Sequence, residues 1–182
     1  MSLCVLGTVQ SADVMAQAWR VRGHRVLRHA IERERADEFA QRLQGAVPAL
    51  LDDIDALLWI DEPLPPRTCA ALARAAAPRP FIDLGWTVRP IGNALAHRAL
   101  VAQVSVTGLA NPRYVTCVLP AVAQPDRESG ALPAVLVCSD DASAKAFASA
   151  LLEALGRRTL DPGPLQSLRY LDPHTMRMYT EA

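Results

Sequence analysis

Lysine is almost missing from this 182-residue chain: Lys145 stands alone, and arginine supplies the rest of the 19 basic residues. They balance 19 acidic residues to a formal net charge of +0, so the electrostatic footprint of a nucleic-acid or anionic-membrane binder is lacking. The scarcity of lysine beside abundant alanine reads as the coding bias of a GC-rich genome and carries no chemistry. Cysteine forms no CxxC pair and has no histidine at ligand spacing, so no metal site is expected. Cys4 and Cys138 sit in apolar strand-like runs, and Cys4, Cys69, Cys117 and Cys138 read as buried packing thiols. No basic start leads into a long apolar segment, and no run approaches the about 18 apolar residues that span a bilayer. The expectation is a soluble, cytoplasmic protein without internal repeats, folded as one domain over residues 1–182.

What is present is an alternation of strand and helix signals. SLCVL reads as a strand, and Ser11 as the cap of a helix over 12–22, with Asp13 in its first turn and Gly23 beyond its end. RVL is a second strand. ERERADEFAQRLQG predicts a surface helix with Phe39 and Leu43 on its apolar side. DALLWI, over 55–60, predicts a buried strand, PPRTCAALARAAA a helix opened by proline, and PFIDL a further strand. VAQVSVTGL, with Val101, Val104 and Val106, also reads as a strand, and NPRYVTCVL as the start of a capped helix with Pro112 in its first turn. Residues 121–133 hold breakers and charge and predict a mobile loop. AVLVC is then a strand, SDDASAKAFASALLEALG a helix with an aspartate cap, and LRYLDPHTMRMY the last helix. The alternation predicts an α/β fold, a doubly wound and mostly parallel sheet with helices on both faces.

The first strand runs into Gly7 and then a helical pattern, LGTVQSADV, where a dinucleotide-binding domain places its phosphate turn. At the carboxy end, AVLVCSDDASAKAFASALLEALGRRTLDPGPLQSLRYLDP carries Ser139-Asp140-Asp141, Lys145, Asp161-Pro162-Gly163-Pro164-Leu165 and Arg169-Tyr170-Leu171-Asp172. This pattern resembles the NADP oxidoreductases that use the 8-hydroxy-5-deazaflavin coenzyme and the small Rossmann domains related to them. In that family a strand leads into Gly-Asp-Asp, a helix with an early lysine, Asp-Ala-Gly-Pro-Leu and Arg-x-Leu-Glu. The likeness in order and spacing, including Gly23-His24 before the second strand, covers nearly the whole chain.

The resemblance implies a Rossmann fold, NADP in a turn formed by Gly7, Thr8, Val9, Gln10 and Ser11, and Ile60 and Pro63 near the nicotinamide ribose. It also implies hydride transfer to a deazaflavin, flavin or other small acceptor, with Trp86, Gly163, Pro164 and Leu165 on the substrate side. The chain departs from the family at three points. Gly7, Val9 and Ala12 stand for G-x-G-x-x-G, and Val9 puts a β-branched side chain where diphosphate approaches and disfavours any positive φ there. Ala30 and Ile31 replace the Ser-Arg that holds the 2′-phosphate, leaving Arg28, Arg33 and Arg35 as substitutes or as solvated surface charges. Asp61 and Glu62 bring carboxylates to the crevice mouth, with Asp83 and Trp86 beside them.

Those carboxylates open a second reading, a cofactor-free scaffold using Asp61, Glu62 or Asp83 as acid and base on a small molecule. Two of them also have a bland role, Asp61 as the cap of the next helix and Asp83 as a loop anchor. A third reading is a non-catalytic partner subunit. Asp140 and Asp141 suit a helix cap better than a metal. His24 and His29 flank a strand, and His97 has no partner at fixed spacing. His174, Met176 and Met178 lie on the last helix, which packs on the core or joins a homodimer.

Overall fold

The structure is a computed structural model that describes residues 1–31, 35–39, 41, 51, 53–87, 94–119 and 134–171. The chain runs β1 (Ser2–Gly7), α1 (Val9–Arg20), β2 (Arg25–Ala30), β3 (Ala56–Trp59), α2 (Pro66–Ala76) and β4 (Phe81–Thr87). It continues through α3 (Ala94–Ala110), β5 (Tyr114–Leu119), β6 (Val135–Cys138), α4 (Ala142–Glu153), β7 (Thr159–Leu160) and a 3-10 turn, Leu165–Arg169. The strands form one seven-stranded sheet in the order β2-β1-β3-β4-β5-β6-β7.

Strand residues alternate between two cores, as a period of two requires. Cys4, Leu6, Leu57, Trp59, Phe81 and Tyr114 face α2 and α3, where Cys69, Leu72, Leu100 and Val104 pack. Leu3, Val5, Leu58, Ile82, Val115 and Cys117 face α1 and α4, against Ala12, Ala16, Trp19 and Leu151. Strands covered on both faces read as continuous apolar runs, which is why SLCVL and AVLVC are legible. All four cysteines are buried, and burial pushes the Cys4 and Cys138 thiols up to about 12.

β1 pairs in parallel with β2 on one side and β3 on the other, and β4 and β5 extend the parallel set. The direction of winding therefore reverses between β1 and β3, and their carboxyl ends frame the crevice where such sheets take ligands. β6 is antiparallel to β5, and β7 follows β6. The carboxyl ends of β6 and β7 thus lie at the opposite edge of the sheet.

Four local expectations are corrected. α1 begins at Val9, with Thr8 rather than Ser11 at its cap position: the Ala12 N–H reaches the Thr8 carbonyl at 2.9 Å. Ser11 is inside the first turn. VAQVSVTGL is not a strand but the second half of α3, in which Leu100, Gln103, Val104 and Thr107 are buried at helical spacing. Its valines suit a strand, yet packing on α2 decides. NPRYVTCVL is not helical. Asn111 and Pro112 make a turn, with the Asn111 side chain donating to the Ala73 and Arg79 carbonyls at 3.0 Å, and β5 follows. LRYL does not begin a helix: the 3-10 turn Leu165–Arg169 ends within it, and Tyr170 and Leu171 are not helical. Of the helix expected from ERERADEFAQRLQG, residues 36–39 and 41 are helical. Leu43, Arg33, the loop at 121–133, and His174, Met176 and Met178 lie outside the described residues.

Candidate functional site

Gly7 closes β1 where the loop after β3 passes overhead. A Cβ on Gly7 would lie 3.0 Å from Ile60 Cγ1 and 3.7 Å from Asp61 Cβ, so this glycine serves close approach. Among the described residues the glycines at positive φ are Gly23, Gly156 and Gly163, and Val9 is the first helical residue. The positive φ that Val9 would have resisted is not part of this turn.

The Thr8 N–H donates to Asp61 Oδ2 at 2.7 Å, and the Glu62 N–H donates to Asp61 Oδ1 at 2.8 Å. A carboxylate of the chain itself thus holds the position at the start of α1, where the helix dipole favours an anion. Asp61 does cap a helix, but it caps α1 rather than the helix that follows it. Its loop is braced from two sides. Trp59 Nε1 donates to the Glu62 carbonyl at 2.9 Å, and Gly85 lets β4 pass so close that a Cβ there would meet the Asp61 carbonyl at 2.7 Å. Ile60 and Pro63 are half-buried in this loop, and Glu62 is exposed.

Beside the turn, between the start of α1 and the end of β2, opens a cleft of about 330 Å3 lined by Val9, His29, Ala30, Ile31, Arg35, Glu38 and Phe39. Its volume suits a nucleoside-sized group. Val9 stands at the cleft with 61% of its surface exposed. The His29 and Phe39 rings meet at 5.8 Å between centroids, tilted by 42°, and desolvation lowers the His29 pKa so that the ring favours its neutral form. Ile31 belongs to the core. Arg28 is paired with Asp13, and Arg35 with Glu38 at 3.8 Å in open solvent. Thr8 Oγ1 donates to Ser11 Oγ at 3.2 Å, and Gln10 is exposed.

Asp83 does not border the crevice. It is 0% exposed, on the face of β4 that packs on α2 and α3. Its carboxyl accepts from Gln103 Nε2 at 2.6 Å, Tyr114 Oη at 2.9 Å and the Gly85 N–H at 2.9 Å. Desolvation raises its pKa against the pull of those donors. A group sealed in this way cannot touch a substrate. Its work is to hold the irregularity between Asp83 and Trp86 that carries Gly85 under the Asp61 loop. Trp86 is itself core, 4% exposed.

The carboxy-terminal motif comes together at the other edge of the sheet. Ser139 Oγ donates to the Tyr114 carbonyl at the amino end of β5 at 2.7 Å, and Asp141 accepts from the Ala144 N–H at 2.7 Å as the cap of α4. Lys145 Nζ reaches Asp161 at 2.8 Å and the Gly163 carbonyl at 3.0 Å, while Asp140 accepts from the Leu165 N–H at 2.9 Å. Gly163, Pro164 and Leu165 therefore lock β7 and the 3-10 turn onto α4 and α3, across the sheet from Gly7. Among the described residues no cluster of His, Cys, Asp or Glu could hold a metal ion, and no helix is long and apolar enough to cross a membrane.

No protein-family model and no curated protein matches the chain. In structure it is similar to an imine reductase of Streptomyces aurantiacus at 18% identity and TM-score 0.58, covering 98% of this chain and 60% of that one. It is similar to an imine reductase variant of Myxococcus stipitatus in complex with NAD+ at 16% identity and TM-score 0.58, with 99% and 58% covered. A third is the arogenate dehydrogenase of Synechocystis, at 17% identity and TM-score 0.55, with 92% and 61% covered. The fold is Rossmann-like. The chain spans about 60% of the length of these proteins.

Within that Rossmann-like frame, sequence reasoning missed the two residues that shape the crevice most. Gly85 carried a readable signal, since a glycine inside an apolar strand marks a close backbone approach. Phe39 reads in sequence only as the apolar side of a helix, with nothing to bring it to His29.

Proposed function

We propose that this chain is an NAD(P)-dependent oxidoreductase of the dehydrogenase or reductase class, acting on a small acceptor at the mouth of the β1–β3 crevice. The observation that carries this reading is the nucleoside-sized cleft beside the turn at Gly7, at the point where the sheet changes winding direction. The residues at the adenosine end fit: Phe39 and His29 offer ring surfaces, and Val9 and Ile31 offer apolar walls. The turn itself fits diphosphate only when Asp61 has swung away from Thr8. Bound there, a nicotinamide cofactor supplies hydride, and the protein's part is to bind and orient it. An acceptor of the flavin or deazaflavin type is the finer form of the proposal, resting on the family resemblance.

The test is NADPH titration of the wild type beside Val9→Gly and Gly7→Val, with NADPH oxidation followed against a flavin and a deazaflavin. Gly7→Val is expected to abolish binding, because a side chain at Gly7 drives into Ile60, and Val9→Gly to weaken it, because the cleft loses an apolar wall. Equal and negligible responses in both variants refute the proposal.

The Asp61–Thr8 bond favours a second reading, a non-redox site in which Asp61 and Glu62 act as acid and base. On that reading Asp61→Asn and Glu62→Gln lose activity while staying folded. On the first reading Asp61→Asn takes NADPH more tightly.

A further inference from the structure

We infer that Asp61 is the specificity-determining residue of the crevice: its carboxylate is an internal stand-in for a ligand phosphate, so the site accepts a nucleoside readily and resists a diphosphate. This rests on the reading of the cleft as an adenosine site.

Three independent features converge on Asp61. Its Oδ2 takes the Thr8 N–H at 2.7 Å, a donor at the phosphate turn. Its backbone cannot drift, because Gly85 passes beneath its carbonyl with no room for a methyl group and Trp59 holds the Glu62 carbonyl at 2.9 Å. Gly7 brings β1 under the same loop, within 3.7 Å of the Asp61 Cβ measured from a Cβ built on the glycine. The carboxylate can leave only by side-chain rotation, and a diphosphate arriving at Thr8 displaces it or lies against it with like charge.

Among the described residues, the charges nearby do not compensate. Arg28, on β2, is committed to Asp13 on α1, and Arg35 lies with Glu38 at the far wall of the cleft. Arginine supplies the forked donors that grip phosphate, and here the described ones are already engaged with carboxylates. The cleft beside Val9 has no such obstacle. A ligand that fills it with a base and sugar and ends before the turn leaves the Asp61–Thr8 bond intact.

Calorimetric titrations of the whole chain with adenosine, ADP and NADPH, on wild type and Asp61→Asn, test this at low salt, where phosphate contacts are least screened. On the wild type, ADP is expected to bind no more tightly than adenosine. Asp61→Asn keeps the side chain's shape and removes its charge. It is expected to leave adenosine affinity unchanged and to tighten ADP and NADPH by at least tenfold, about 1.4 kcal/mol. Wild type binding ADP at least tenfold more tightly than adenosine overturns the inference, and that comparison stands even where the variant fails to fold. Adenosine binding with no gain for ADP or NADPH in a folded Asp61→Asn overturns the inference alone. Absence of binding by adenosine and NADPH alike refutes the site, and the inference with it.

Discussion

Asp83→Ala takes away the acceptor that the Gly85 N–H, Gln103 Nε2 and Tyr114 Oη share at 2.6 to 2.9 Å in a fully buried network. Each buried donor left without a partner costs about 1–3 kcal/mol, so three of them reach about 3 kcal/mol even at the low end. Relief of the buried carboxyl's own desolvation offsets part of this, leaving a net loss of about 2–4 kcal/mol from a domain stability of about 5–15 kcal/mol. Asp83→Asn is milder, about 1 kcal/mol, because the amide oxygen still serves the Gly85 N–H and the Gln103 amide can turn to present its oxygen. The two variants also differ in pH response. Desolvation raises the Asp83 pKa above its ordinary 3.8, so the native state holds this proton to higher pH than the unfolded chain does. Stability from this group is therefore largest in acid, and falls as pH rises through the native pKa. Asp83→Asn removes that fall. Urea unfolding followed by tryptophan fluorescence, from acid to neutral pH, reads both effects. Equal losses for the two variants, or an undiminished pH slope in Asp83→Asn, refute the network as described.

Gly85→Ala places a methyl group 2.7 Å from the Asp61 carbonyl, a backbone atom, whereas Gly108→Ala meets only Leu165 Cδ1 at 2.8 Å, the end of a side chain that can rotate. Thermal denaturation is expected to register about 1–3 kcal/mol for the first and less than about 1 kcal/mol for the second, where helix propensity also favours alanine; the reverse order contradicts the packing described. With all four thiols buried, and those of Cys4 and Cys138 pushed up to about 12, a thiol reagent should modify the protein only as fast as it opens. Labelling of the native chain at the rate of the denatured chain contradicts that.

Most of the sheet was legible because these strands are covered on both faces and so read as unbroken apolar runs, SLCVL, DALLWI and AVLVC among them, whereas the β5 segment behind Pro112 read as a helix. α3 was not, because Val101, Val104 and Val106 mimic a strand's alternation, and the buried set Leu100, Gln103, Val104 and Thr107 includes two polar residues that conceal the helical period. Gly7 and its helix located the turn, but the donor's actual partner lies 53 residues away at Asp61, a pairing that only the β1–β3 register creates. The same topology sends Gly163, Pro164 and Leu165 to the other edge of the sheet. Local motif likeness carries no information on the antiparallel turn of β6. Asp83 was legible as a carboxylate after an apolar run and illegible as a core residue, since its burial depends on Gln103 and Tyr114 arriving from α3 and β5.

The most direct measurement is a two-dimensional NMR titration of the isotopically labelled chain with adenosine and then with NADPH. The account predicts adenosine-induced shifts centred on Val9, His29, Ala30, Ile31 and Phe39, the cleft lining, with the Thr8 amide moving only when Asp61 is displaced by a diphosphate. Shifts centred on Gly163 to Leu165, or none anywhere, contradict it.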